Sequence, residues 1–262
     1  MSAVVTGGGT GLGLEISRLL AALGAKVAIA SRSADNHKVF LNEAEQKGWT
    51  AASHVMDVRE PDLVGEVFGK VAEEFGGLDI LINNAAGNFV RPAMDLPPKG
   101  WRAVIDIALS GVFFCSQSAG RIMAKQERGG VIVNIIAPYA WTGAPGVVHS
   151  VTAKAGVLAM TKTLAAEWAR KKIRVNAVAP GAFESEGAGQ RLWPTKEIYE
   201  AIRNEIPAKR FADPAEIARS VIYAASPQAE YMTGAVITVD GGMSLGKGLA
   251  GEMEPDAVKR KR

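Results

Sequence analysis

The sequence predicts an α/β fold: one doubly wound parallel sheet of about seven strands with helices on both faces. Short β-branched or apolar runs alternate with amphipathic helical stretches from the first residues nearly to the last. The runs are also too uniformly apolar for strands with one wet face, and strands apolar on both sides belong to parallel sheets roofed by helices. No Pro-, Gly- or Ser-rich linker divides the 262 residues, so 1–262 is read as a single domain.

In chain order, the strand expected at Ser2–Thr6 runs into a glycine turn and an amphipathic helix near Leu12–Leu23. Lys26–Ala30 is the second strand, followed by helical spacing over Asp35–Lys47. Ala51–Met56 and Asp79–Asn83 bracket a helix over Leu63–Phe75. A long helical pattern, Pro98–Lys125, precedes Val131–Ile136, whose apolar run reads as a buried strand. The uncharged stretch Val131–Ala153 is long enough to span a membrane, but Asn134, Pro138, Gly143, Pro145 and Gly146 interrupt it, giving strand and loop. Val151–Arg170 is the next helix and Ile173–Val178 the sixth strand. Residues 182–206 then form a long insertion read as a substrate lid loop. Helix Pro214–Ala225, strand Val236–Val239 and a tail over 243–262 complete the chain.

Composition excludes several classes of function. With one cysteine, Cys115, there is no internal disulfide, and His37, His54 and His149 are too few for a Cys/His zinc site, so no metal is expected. The formal charge of +3 rests on Lys259–Arg262; without those four cations the body is close to neutral, against a nucleic-acid partner. The tail reads as solvated. No basic segment with an apolar core opens the chain, so the expectation is a cytoplasmic protein without a leader or membrane partner. The 29 glycines exceed an ordinary share and follow no repeat, which assigns them local backbone tasks.

The clearest such task lies between the first strand and first helix, at Thr6-Gly7-Gly8-Gly9-Thr10-Gly11-Leu12-Gly13. Gly7, Gly11 and Gly13 allow a tight turn, close approach to a phosphate, and close helix–sheet packing, with the phosphate at the helix N-terminus. This is a Rossmann-type dinucleotide turn, spaced G-x-x-x-G-x-G. Gly9, Thr10 and Leu12 share it. At the end of the second strand stand Ser31-Arg32, where a carboxylate would hold a ribose 2′-hydroxyl and a cation a 2′-phosphate. An arginine fork with no carboxylate beside it favours NADP(H) over NAD(H).

Taken together, Thr6–Gly13, Asp57-Val58, Asn83-Asn84-Ala85-Ala86-Gly87, Lys154 within Ala153-Lys154-Ala155, Pro180-Gly181 and Asp240-Gly241-Gly242 resemble the short-chain dehydrogenase/reductase family across the whole chain. The resemblance implies that Asp57 and Val58 lie beside the adenine and that Asn84, Ala85, Ala86 and Gly87 line the cofactor cleft. It further implies that Pro180 and Gly181 flank the nicotinamide, that Phe183 also meets the cofactor, and that Lys154 holds the nicotinamide ribose. Members that reduce ordinary carbonyls carry a tyrosine four residues before the lysine; here that residue is Ser150. The customary serine after Asn134 is missing, and Ala108 stands where the family has asparagine. Ordinary ketoreductase chemistry is therefore not expected.

A tyrosine does follow the fifth strand, at Tyr139, and Asn88-Phe89 extend the Asn83–Gly87 turn. With Ser150 and Lys154 this pattern resembles the 2,4-dienoyl-CoA reductase branch. Reduction of a dienoyl thioester puts negative charge on the thioester oxygen. The Tyr139 hydroxyl and Asn88 amide are expected to stabilise it, with Ser150 orienting Tyr139 or a water. The resemblance also implies a 3-enoyl-CoA product, an acyl-CoA substrate met by Arg59, Phe89 and Arg191, and a homotetramer. The alternatives are a trans-2-enoyl-CoA reductase, whose motifs resemble Val133–Pro138 and Ile206–Arg210, and a non-catalytic NADP-binding regulator.

Overall fold

A computed structural model of the protein describes residues 1–184 and 195–245. Its strands are β1 (Ser2–Thr6), β2 (Lys26–Ser31), β3 (Ala51–Val55), β4 (Ile80–Asn83), β5 (Gly130–Ile135), β6 (Ile173–Pro180) and β7 (Val236–Val239). All pair in parallel, in the order β3-β2-β1-β4-β5-β6-β7. The order reverses between β1 and β4, so the connections diverge there and leave a crevice at the strands' carboxyl ends.

Both faces of the sheet are dry. Ala3 and Val5 of β1 point toward α1 (Gly11–Ala22) and the last helix (Pro214–Ala225), packing on Leu12, Ile16, Ile217 and Val221. Val4, between them, points to the opposite face, against Val64, Phe68 and Val71 of α3 (Pro61–Phe75) and Cys115 and Ala119. Successive strand residues face opposite ways, so a strand buried on both sides must be apolar throughout. The second helix, α2, spans Lys38–Lys47 behind a 3-10 turn over Ala34–His37.

The long helix α4 runs Pro98–Met123 and contains a π-helical stretch, Asp106–Ser110. It is long and apolar enough to cross a membrane by length and composition, yet it packs on α3 and on the sheet. After β5 come a short helix α5 (Tyr139–Thr142) and then α6 (Val148–Trp168). The reading of 182–206 as loop is corrected: Lys196–Glu205 form a helix, α7, capped where Thr195 Oγ1 accepts from Ile198 N at 3.4 Å. Its apolar face is short, with Tyr199 and Ile202 packing on Ile206 and Phe211, and the rest of the helix is polar. Residues 185–194, including Arg191, and 246–262 of the tail lie outside the described residues. Helix α8 is Pro214–Ala225.

A buried polar ladder ties the elements behind the crevice. Asn83 Nδ2 donates to Ser116 Oγ at 2.9 Å and to Asn134 Oδ1 at 2.8 Å. Asn134 Nδ2 donates to Thr161 Oγ1 at 2.9 Å, and Thr161 Oγ1 donates to Val157 O at 2.8 Å. The ladder thus joins β4, β5, α4 and α6. Asn134→Ala leaves a buried donor short of an acceptor and opens a void, so the expected loss in urea unfolding is about 2–3 kcal/mol. An unchanged midpoint and slope would show that the ladder holds nothing.

Candidate active site

A cleft of about 860 Å³ opens along the carboxyl ends of β1, β2, β4 and β5. At one end it is walled by the glycine turn. Gly13 packs so closely that a Cβ there would lie 2.1 Å from Gly7 O, and a Cβ at Gly9 would lie 1.9 Å from Asn36 O. Any side chain at either position would push the turn apart. Helix α1 begins without a side-chain cap and with no acid in its first turn, whereas α8 carries a full capping box from Asp213 and Glu216. An uncapped helix N-terminus facing a cleft suits an anion. Asn84 holds the turn in place: its Nδ2 donates to Thr6 O at 3.0 Å and to Gly7 O at 3.2 Å.

Of the residues expected at a cofactor, Gly7, Gly9, Thr10, Gly11, Leu12, Gly13, Ser31, Arg32, Asp57, Val58, Asn84, Ala85, Ala86, Gly87, Lys154 and Phe183 all line this cleft. Pro180 ends β6 and Gly181 follows it, donating to Val239 O at 3.0 Å; neither lines the cleft wall. Ser33, Asn36, Met56 and Ile107 also line it. Nothing in the sequence singled those out. Ile107 and the buried Ala108 sit in the π-helical stretch, which spacing arguments cannot detect.

At the other end of the cleft, Tyr139 Oη and Ser150 Oγ are 2.9 Å apart. Tyr139 begins the short α5 and Ser150 lies in the first turn of α6, so the two helices meet through these hydroxyls. Burial holds the Tyr139 phenol above its ordinary pKa, only partly offset by the bond to Ser150, so the hydroxyl stays protonated and able to donate. One turn beyond Ser150, the buried Lys154 donates from Nζ to Ile135 O at 2.7 Å. Burial lowers its pKa to about 8. Asn88 Oδ1 accepts from Phe89 N at 2.9 Å, which turns the amide so that its NH2 is the end left for a ligand.

His149 was not anticipated. Wholly buried, it accepts from Ser150 N at Nδ1 (2.8 Å), and its ring meets Phe89 edge-on at 4.5 Å. With Arg91 N donating to Gly146 O at 2.7 Å, this contact holds the Asn88-Phe89 loop against the start of α6. Phe89 therefore packs behind the cleft and does not line it. Arg59 is not brought to the Tyr139 end. Its guanidinium forks Asp57, with Nη2 to Oδ2 at 2.6 Å, and holds that carboxyl below its ordinary pKa.

The family model described as Enoyl-(Acyl carrier protein) reductase matches residues 7–244. The chain belongs to the short-chain dehydrogenase/reductase family. A probable 2,4-dienoyl-CoA reductase of Bacillus subtilis, named for a (2E)-enoyl-CoA product, is 42% identical over 92% of this chain and 96% of its own. A 3-oxoacyl-(acyl-carrier-protein) reductase of Thermotoga maritima is 36% identical over 92% of this chain and 97% of its own. A short chain dehydrogenase from Bacillus anthracis, solved by crystallography, superposes with a TM-score of 0.86 at 41% identity, over 94% of this chain and 98% of its own. The protein is accordingly an oxidoreductase of a family that binds NAD(P).

Proposed function

We propose that this short-chain reductase uses NADPH to reduce a 2,4-dienoyl-CoA thioester to an enoyl-CoA. The observation that carries the reading is the 2.9 Å Tyr139–Ser150 pair. The serine occupies the place, four residues before Lys154, where carbonyl-reducing members of the family have tyrosine, and the tyrosine approaches from α5 instead. The named activity of the Bacillus subtilis relative supports the same substrate class.

The crowded turn at Gly13, the uncapped α1 and the cleft's volume fit a dinucleotide, and Arg32 at the end of β2 fits one bearing a 2′-phosphate. When bound, that cofactor supplies a hydride. In this reading Tyr139 and Asn88 donate hydrogen bonds to the thioester oxygen, where charge collects as hydride reaches the far end of the diene. Lys154 holds the ribose hydroxyls and, as a cation, favours that charge. A proton then goes to carbon, not oxygen, and Ser150 orients Tyr139 or a water for it. Protonation at Cα leaves the 3-enoyl thioester and protonation at Cγ the 2-enoyl isomer.

Carrying out the reduction with 4-deuterated NADPH and reading the product by NMR tests the hydride's destination. Deuterium at C5 supports the proposal; deuterium at C3 would place this protein with the 2-enoyl reductases. For the cofactor, Arg32→Ala removes a charge-assisted bond, so the Kd for NADPH should rise about 10- to 100-fold, with that for NADH little changed. An unaltered NADPH affinity would refute the assignment.

Arg191, outside the described residues, and Arg59, on the rim beside Asp57, are proposed to meet the anionic groups of coenzyme A, with Phe89 supporting the acyl end. Assembly as a homotetramer is proposed from α4, on which Phe113 remains 40% exposed. A monomeric mass in light scattering would contradict it.

A further inference from the structure

His37 is 2% exposed and sits in the 3-10 turn after β2, outside every role assigned above. Its Nε2 lies 2.7 Å from Ser31 Oγ, and Ser31, Arg32, Ser33 and Asn36 form the cleft wall where a 2′-phosphate would rest. The turn is not free to move away, because Asn36 O is packed directly on Gly9. Ser31 Oγ also lies 3.2 Å from Ser33 O, a second acceptor for its proton.

We propose that His37, acting through the Ser31 hydroxyl, sets the preference for the 2′-phosphorylated dinucleotide, by taking up a proton as that phosphate binds. The inference rests on the NADP(H) reading. A neutral imidazole leaves two arrangements open: Ser31 donates to Nε2, or it accepts from Nε2–H and donates to Ser33 O. An imidazolium donates from both nitrogens. Nε2–H must then point at Ser31 Oγ, and the serine hydrogen is released to an acceptor in the cleft. A phosphate dianion is such an acceptor, and its charge in turn favours the cation. Protonated His37 thus fixes Ser31 as a donor, which turns from Ser33 O to the phosphate when the ligand bears one.

The charged and titratable groups around His37 are few. Arg32 follows on β2, and Asp35 in the turn pairs with Lys38 at the start of α2 at 2.7 Å. From β3 the titratable neighbour is His54, which is itself flanked by Lys70 and Glu74 of α3. Burial, and secondarily His54, lower the His37 pKa and so favour the neutral ring in the free protein. Linkage then requires that a phosphorylated ligand raise it.

The test measures the Kd of NADPH and NADH for the full chain and for H37F, S31A, the double variant and R32A, at about pH 6.5 and about pH 8.5. The phosphate's own titration, with a pKa near ~6, is common to all the proteins and cancels between the intact chain and its variants. Between about pH 8.5 and about pH 6.5, the NADPH-over-NADH ratio should rise roughly five- to tenfold more in the intact chain than in H37F. H37F and S31A should each abolish that gain, and the double variant should lose no more than either alone; H37F should keep its NADH affinity within about twofold, and circular dichroism with thermal unfolding checks that S31A and the double variant fold. If H37F and S31A keep the pH-dependent gain while R32A loses NADPH, His37 has no such role although the cofactor reading stands. Equal affinity of the intact chain for both dinucleotides would overturn both.

Discussion

Tyr139→Phe should lower kcat on a 2,4-dienoyl-CoA by about 10²–10³, the cost of one donor aimed at a developing oxyanion, roughly 2.7–4 kcal/mol. The Kd for NADPH should be unchanged, because the tyrosine stands at the far end of the cleft from the glycine turn. Deleting the hydroxyl also deprives the buried Ser150 of its 2.9 Å partner, so stability should fall by about 1 kcal/mol. The two losses are separable: a small drop in unfolding free energy cannot account for a hundredfold drop in turnover of protein that remains folded. Turnover within threefold of the unmodified enzyme would remove Tyr139 from the chemistry and return it to packing.

Lys154→Met should move activity and stability in opposite directions. The ammonium is the one buried cation at the Tyr139 end of the cleft among the described residues, and losing it should cost about a hundredfold or more in kcat/KM, from forfeited charge-assisted bonds. Its pKa is lowered by burial from 10.5 to about 8. The unfolded chain therefore binds more protons than the folded one between those values, and stability rises with pH across that window. Below it, the folded protein carries a desolvated charge that methionine does not, and the variant should be more stable at neutral pH by up to about 3 kcal/mol. Activity of the unmodified enzyme runs the other way, falling as pH rises through about 8 and the lysine loses its charge. Urea unfolding near neutral pH and a pH–rate profile together check the pair; a variant less stable than the parent would contradict the argument.

The fold was legible because both faces of every inner strand are covered. Ser2–Thr6, Val236–Val239 and Pro214–Ala225 fall where the apolar runs place them. Elsewhere the ends differ by a few residues, as where α6 begins at Val148 before its apolar pattern is established. The helix Lys196–Glu205 was hidden by its polar composition, and the π-helical stretch Asp106–Ser110 by the fact that its residues suit an α-helix equally well.

The site was legible where backbone conformation restricts the residue, as at Gly13, or where a side chain departs from a family pattern, as at Ser150. It was not legible where function depends on contacts between segments far apart in the chain. His149 reaches Phe89 across sixty residues, and no local spacing signals that contact. His37 is close in sequence to Ser31, but only the 3-10 turn brings its ring under the serine.

The most direct test follows NADPH consumption by the full chain with a 2,4-dienoyl-CoA, a trans-2-enoyl-CoA and a 3-oxoacyl thioester of equal chain length. A site built from Tyr139, Ser150, Asn88 and Lys154 predicts that the dienoyl substrate has the highest kcat/KM, and that Tyr139→Phe abolishes that advantage. Faster turnover of the monoene or of the 3-oxoacyl thioester would contradict it.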